Sequence, residues 1–224
     1  MKILAITIET NDLDKTTQFY SEILQFDLCY KSELEVHYKI GHSLLKFVKT
    51  AHATAIYHYA FNIPSSLLES ALNWARQRLE VIKNPTDQLI TTFENWNAQA
   101  IYFYDNNGNL VEFIARYDRD ESSKSASFDP SKIESISEIG IVTAEPMGLA
   151  ADWIKQYGLS YFEKSPPTKD FLALGDDEGL LIVVSPQRNW YPTNIPARQT
   201  TTSIEFEIQD TTISLSTAQS NIER

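Results

Sequence analysis

Glu112 sits where a carboxylate needs a reason to be. It belongs to Leu110-Val-Glu-Phe-Ile-Ala-Arg116, whose β-branched and aromatic content predicts a strand. Period-2 alternation then groups Glu112 with Leu110 and Ile114 on one face, and Val111, Phe113 and Ala115 on the other. An ionised carboxylate among apolar neighbours is too costly to bury alone, so this pattern requires a metal ion or another cation beside it. His58, in Tyr57-His-Tyr-Ala-Phe61, is the second candidate, with Ile56, Ala60 and Asn62 on its own strand face. An imidazole there could ligate a metal, be satisfied by a hydrogen bond, or pair with Glu112 as an imidazolium, which would raise the histidine pKa and lower that of the carboxylate.

The elements that must position these groups recur. Ile3–Ile8 reads as a strand, Thr10-Asn-Asp12 offers helix caps, and Leu13, Thr16, Phe19/Tyr20 and Ile23/Leu24 follow at helical spacing. Strand-like runs at Phe26–Tyr30, Glu35–Ile40 and Ser43–Lys49 complete a βαβββ order. The order repeats with a strand at Ile56–Ile63, a helix with its apolar stripe at Leu67/Leu68, Ala71/Leu72, Ala75 and Leu79, a strand near Leu89–Phe93, and a hairpin. That hairpin joins Ala100–Tyr104 to Leu110–Ala115 through Asp105-Asn-Asn-Gly108, a sequence suited to a tight turn. A third unit begins at Ile136–Val142, with a helix from Pro146 and strands expected at Tyr161–Glu163, Phe171–Leu174 and Leu180–Val184. Ser203–Ile208 opens a fourth unit. The expected organisation is a domain of two units over 1–118, a linker over 119–132 and an incomplete second domain over 133–224.

Composition narrows the function classes. With 42% hydrophobic and 12% aromatic residues in 224, the chain can fill a real core, and a formal charge of −11 disfavours nucleic acid and anionic membranes as partners. No run approaches the roughly 20 apolar residues of a membrane span. The single cysteine, Cys29, rules out an intrachain disulfide and suits a reducing, cytoplasmic compartment. The seven glycines form no phosphate-binding loop.

On Thr10-Asn-Asp-Leu-Asp-Lys-Thr-Thr-Gln-Phe-Tyr20, Tyr57-His-Tyr-Ala-Phe61 and Tyr102-Phe-Tyr-Asp-Asn-Asn-Gly-Asn-Leu-Val-Glu112, the chain resembles the vicinal oxygen chelate superfamily of glyoxalases, extradiol dioxygenases and bleomycin-resistance proteins. The resemblance implies an α+β fold of βαβββ units whose curved mixed sheets make one complete cup and a partial second pair. It also implies a divalent ion (Zn, Ni, Fe or Mn) at the bottom of a cup, held from the first and last strands of the units. Carried across, His58 and Glu112 fall on two ligand positions, with Glu112 as the catalytic carboxylate. The first unit departs from the pattern, with Ala5 and Lys46 at its two positions. If the second unit pairs with the third, Glu138 supplies the missing ligand.

Trp96 and Tyr102 are the candidates for ligand contact. Trp96 would either stack on a flat ligand at the rim or pack in the core. Tyr102 and Tyr104 alternate with Ile101 and Phe103, so one pair faces the cup; Trp190-Tyr191 after Arg188 would form a lid or cover the incomplete unit. Three functions follow from the resemblance: a metal-dependent lyase or dioxygenase acting on a small molecule, a metal-free small-molecule-binding protein of the bleomycin-resistance type, or a catalytically lapsed relative used in assembly or regulation. The unfinished fourth unit leaves a sheet edge that a second subunit of a homodimer could cover.

Overall fold

A computed structural model of the chain describes residues 1–52, 55–119 and 127–217. Residues 120–126 of the expected linker and 218–224 of the expected last unit lie outside them. The first unit comprises β1 (Lys2–Thr10), α1 (Leu13–Gln18), β2 (Asp27–Lys31), β3 (Glu35–Ile40) and β4 (Ser43–Lys49). Asp12 caps α1 by accepting the Lys15 N–H at 3.0 Å, and the helix widens into a π turn over Phe19–Ile23. The second unit is β5 (His58–Asn62), α2 (Leu68–Arg76), β6 (Val81–Ile82), β7 (Thr91–Phe93), β8 (Ala98–Tyr104) and β9 (Leu110–Arg116). The third is β10 (Ser135–Val142), α3 (Pro146–Tyr157), β11 (Phe171–Asp176) and β12 (Gly179–Val184), followed by the hairpin β13 (Thr202–Ile208) and β14 (Thr211–Thr217).

One expected strand is absent. Tyr161 makes a single bridge to Leu174 instead of a strand over Tyr161–Glu163. Downstream, Pro166 and Pro167 lack the N–H groups that a continuing ladder would need.

These strands form one curved, unclosed mixed sheet whose pairing is nested. In one half, β5 runs parallel to β9 and antiparallel to β10, so the second and third units share a cup. In the other, β1 runs parallel to β4 and antiparallel to β13, so the first unit pairs with the terminal hairpin. The halves meet where Ile3 of β1 opposes Ile136 of β10.

Alternation along β8 and β9 divides the core into two layers. Ile101, Phe103, Val111, Phe113 and Ala115 pack in the layer that also holds Ala71, Leu72 and Trp74 of α2, whereas Tyr102, Leu110 and Ile114 pack with Ala60, Ile182 and Trp190 on the cup side. Each Val, Leu, Ile or Phe side chain taken out of water there contributes about 1.5–3 kcal/mol. At the hairpin turn, one oxygen of Asp105 accepts the N–H groups of Asn107 and Asn109 at 2.8 and 2.9 Å, and Gly108 takes a φ of +77°. The other Asp105 oxygen receives the hydroxyls of Tyr20 at 2.9 Å and Tyr59 at 3.1 Å, tying the first unit's helical segment to the second unit's hairpin. Among the described residues no helix is long and apolar enough to cross a membrane.

Candidate functional site

Ala60 is the register point of the site. On β5 it opposes Glu112 of β9 on one side and Glu138 of β10 on the other. Neighbouring strands lie about 4.8 Å apart, so the two glutamates flank the small Ala60 side chain on a shared face. His58 is two residues along β5 on that face. The result is a buried trio, 7%, 2% and 3% exposed for His58, Glu112 and Glu138, with one ligand atom from each lying within 4.8 Å of the others. It is the one such cluster of three histidine, cysteine or acidic residues among the described residues. In the other half of the sheet, Ala5 offers no donor and Lys46 is paired to Glu205 at 3.0 Å.

His58 is oriented by the backbone. Its Nδ1 lies 3.2 Å from the Leu110 carbonyl oxygen, so the ring donates there and turns the Nε2 lone pair toward Glu112 Oε2, 3.7 Å away. Burial pushes the imidazole down to about 4, against the smaller opposing effect of the Leu110 carbonyl. The histidine is therefore neutral at pH 7, and the imidazolium–carboxylate pair that the sequence left open is not what the site holds. Glu112 is raised well above the ordinary carboxylate range, first by burial and then by the negative charge of Glu138; Arg116 and a hydrogen bond from Tyr102 oppose the shift. Glu138 is raised by burial, opposed by Arg116.

Arg116 was not anticipated as a site residue, although it continues the Leu110, Glu112, Ile114 alternation. Its guanidinium is buried against Trp96 and Phe162, with centroid distances of 5.4 and 5.8 Å. Nη2 donates to Glu138 Oε1, while Nη1 lies 3.6 Å from Asp177 and makes no hydrogen bond within the described residues. Glu138 thus has one oxygen committed to Arg116.

Above the trio opens a cavity of about 420 Å³, with Phe93, Trp96 and Tyr102 on one wall and Ile182 and Val184 on another. Trp96 and Tyr102 both line this cavity. The segment Arg188–Tyr191 closes part of the opening, pinned by Trp190 N–H to Ile195 O at 2.8 Å and Ala197 N–H to Arg188 O at 2.9 Å. The Trp190 ring lies 5.3 Å from that of His58, and its Nε1 is buried without a hydrogen-bond partner among the described residues. Room for this indole comes from Gly140: a Cβ there would stand 2.5 Å from the Trp190 ring.

One imidazole nitrogen and two carboxylates, converging beside open space, fit a divalent ion that keeps positions free for a substrate. A histidine whose other nitrogen is held by a carbonyl also fits that role.

A family model described as the Glyoxalase/Bleomycin resistance protein/Dioxygenase superfamily matches residues 2–113. Among solved structures, a presumed dioxygenase from Bacillus subtilis subsp. subtilis str. 168 superposes with a TM-score of 0.58 at 15% identity, over 82% of this chain and 63% of that one. The chain thus spans less than two thirds of that relative's length. A glyoxalase/bleomycin resistance protein/dioxygenase from Alicyclobacillus acidocaldarius matches at 17% identity with a TM-score of 0.44, over 52% of this chain and 92% of that one. No curated protein matches the chain by sequence.

Proposed function

The chain belongs to the glyoxalase/bleomycin resistance protein/dioxygenase superfamily, and on that premise we propose that it is a divalent-metal enzyme, a lyase or dioxygenase, acting on a small molecule in the cup between its second and third units. The observation that carries this reading is the convergence of His58, Glu112 and Glu138 within 4.8 Å. A bound divalent ion would supply Lewis-acid polarisation of substrate oxygens. The chain's own residues divide the remaining work. His58 presents Nε2 because Leu110 holds Nδ1, Tyr102 orients the carboxylate of Glu112, and Arg116 fixes Glu138 so that one oxygen stays available. Trp96, Phe93 and Ile182 give the approach to the trio apolar walls. Glu112, with its raised pKa, is the carboxyl suited to hold or pass a proton at the substrate.

A second reading, a metal-free binding protein of the bleomycin-resistance type, is favoured by the Arg116 ion pair, which already brings a cation to Glu138. Elemental analysis of protein purified without chelator separates the two. About one equivalent of a transition metal, lost in His58→Ala, supports the metalloenzyme; negligible metal in both proteins removes it and leaves the binder. For either reading, the edge of β14, which pairs only with β13 among the described residues, is the surface proposed for a second subunit.

A further inference from the structure

Among the described residues the cavity lining includes one cationic side chain, that of Arg188. Arg188 is half-buried at the opening, stacked on Phe171 with its guanidinium carbon 4.4 Å from the ring centroid. Its guanidinium makes no hydrogen bond or ion pair among the described residues. By contrast, Arg116 is committed to Glu138, and the pocket floor carries two glutamates. In a chain of formal charge −11, an unpaired arginine facing a pocket is the feature that would admit an anion.

Register fixes where that charge stands. Phe171 opposes Val184 on β12, whereas Glu138 is level with Leu180, four residues away along the same strand, or roughly 13 Å. Flat aromatic rings fill the space on the opposite wall: Phe93 and Trp96 contact at 5.9 Å, and Tyr191 meets Phe93 at 6.1 Å. The geometry points to Arg188 as the residue that selects the ligand, which is a planar, largely apolar molecule bearing one carboxylate, inserted with its uncharged end toward His58 and its carboxylate at the rim. A guanidinium held on an aromatic face keeps its N–H edge free to receive a carboxylate through two parallel hydrogen bonds.

This rests on the proposed function only in taking the cavity as the ligand site, and its test does not depend on metal. Calorimetry at pH 7 compares 2-naphthoate with its uncharged isostere 2-naphthamide, using chelator-treated protein. The wild type is expected to bind the acid about tenfold more tightly than the amide. In Arg188→Gln the acid falls to the affinity of the amide, which itself is unchanged, and Arg188→Lys keeps part of the preference. The exposed Arg198→Gln variant, a control for general charge, leaves the preference intact. Equal binding of acid and amide by wild type, or a preference that survives Arg188→Gln, overturns the assignment while leaving the cavity a binding site. Binding of neither probe overturns the ligand class, and the metal content then decides the proposed function separately.

Discussion

The Nδ1 of His58 lies 3.2 Å from the carbonyl oxygen of Leu110, a contact between two strands that also run in register at these same residues. Because Nδ1–H is the donor, the free lone pair is Nε2, and with a pKa near 4 the ring needs no deprotonation to ligate at pH 7. Glu112 behaves oppositely, since its raised pKa means that a proton must leave before it can bind a cation. Metal uptake is therefore expected to release a proton from the glutamates, and affinity should climb with pH through the raised carboxylate range and then level off. Calorimetric titration with Mn²⁺ or Zn²⁺ in buffers of differing ionisation enthalpy measures this; binding without proton release across that range contradicts it.

Removing Arg116 should be severe. The variant Arg116→Met leaves Glu138 buried beside Glu112 without its cation, a loss of about 3–5 kcal/mol for breaking a buried pair. Urea unfolding checks the magnitude, and a loss under 1 kcal/mol would show that the guanidinium is dispensable. Combining it with Glu138→Gln should recover part of the loss, because the uncompensated charge is removed along with its partner.

Gly140→Ala is an overpacking test of the opening. The new methyl would stand 2.5 Å from the Trp190 indole, so the ring and the Arg188–Tyr191 segment must shift, at a cost of about 1–3 kcal/mol. Trp190→Phe removes that clash, so the double variant should be less destabilised than the sum of the singles. Strict additivity in denaturant melts would place Trp190 elsewhere.

Acid sensitivity should include the Glu178–Arg119 pair. The guanidinium holds Glu178 below its usual pKa through a 3.0 Å hydrogen bond, so the unfolded chain binds this proton more readily than the folded one. Its stabilisation is complete above the unfolded value, near 4.3, and fades as pH falls through the depressed folded value. Glu178→Gln should accordingly be less stable than wild type at pH 7, with the gap narrowing under acid. A gap that widens as pH falls has the wrong sign for this account.

Local chemistry made much of this molecule legible from its residues. The β3 and β4 runs, the Asp105–Gly108 turn and the placement of Glu112 on an apolar face all follow from alternation and turn preferences, which depend on near neighbours. Glu138 entered through repeat register, and its proximity to His58 could be known only once β10 was seen beside β5. Arg116 shares the alternation of Glu112, yet an arginine at a strand end ordinarily reaches solvent, so alternation alone does not mark it as a buried site residue. The role of Gly140 carries no local signal at all, since the indole it accommodates is fifty residues farther along the chain. Burial, too, decided what composition could not, turning an envisaged charged pair into a neutral imidazole.

The nested pairing has a consequence for biogenesis. Strands β5 through β12 come from one uninterrupted stretch of chain, so this half can assemble as soon as Val184 has emerged from the ribosome. Strand β1, made before that half, opposes β13 through partners such as Ile6 and Ile204, nearly two hundred residues apart. Its second flank must wait until β13 has been made, and such late, distant closure is slow and exposed to mispairing. The nascent chain thus carries β1 half-flanked through the making of the other half, and the β13–β14 hairpin relieves it.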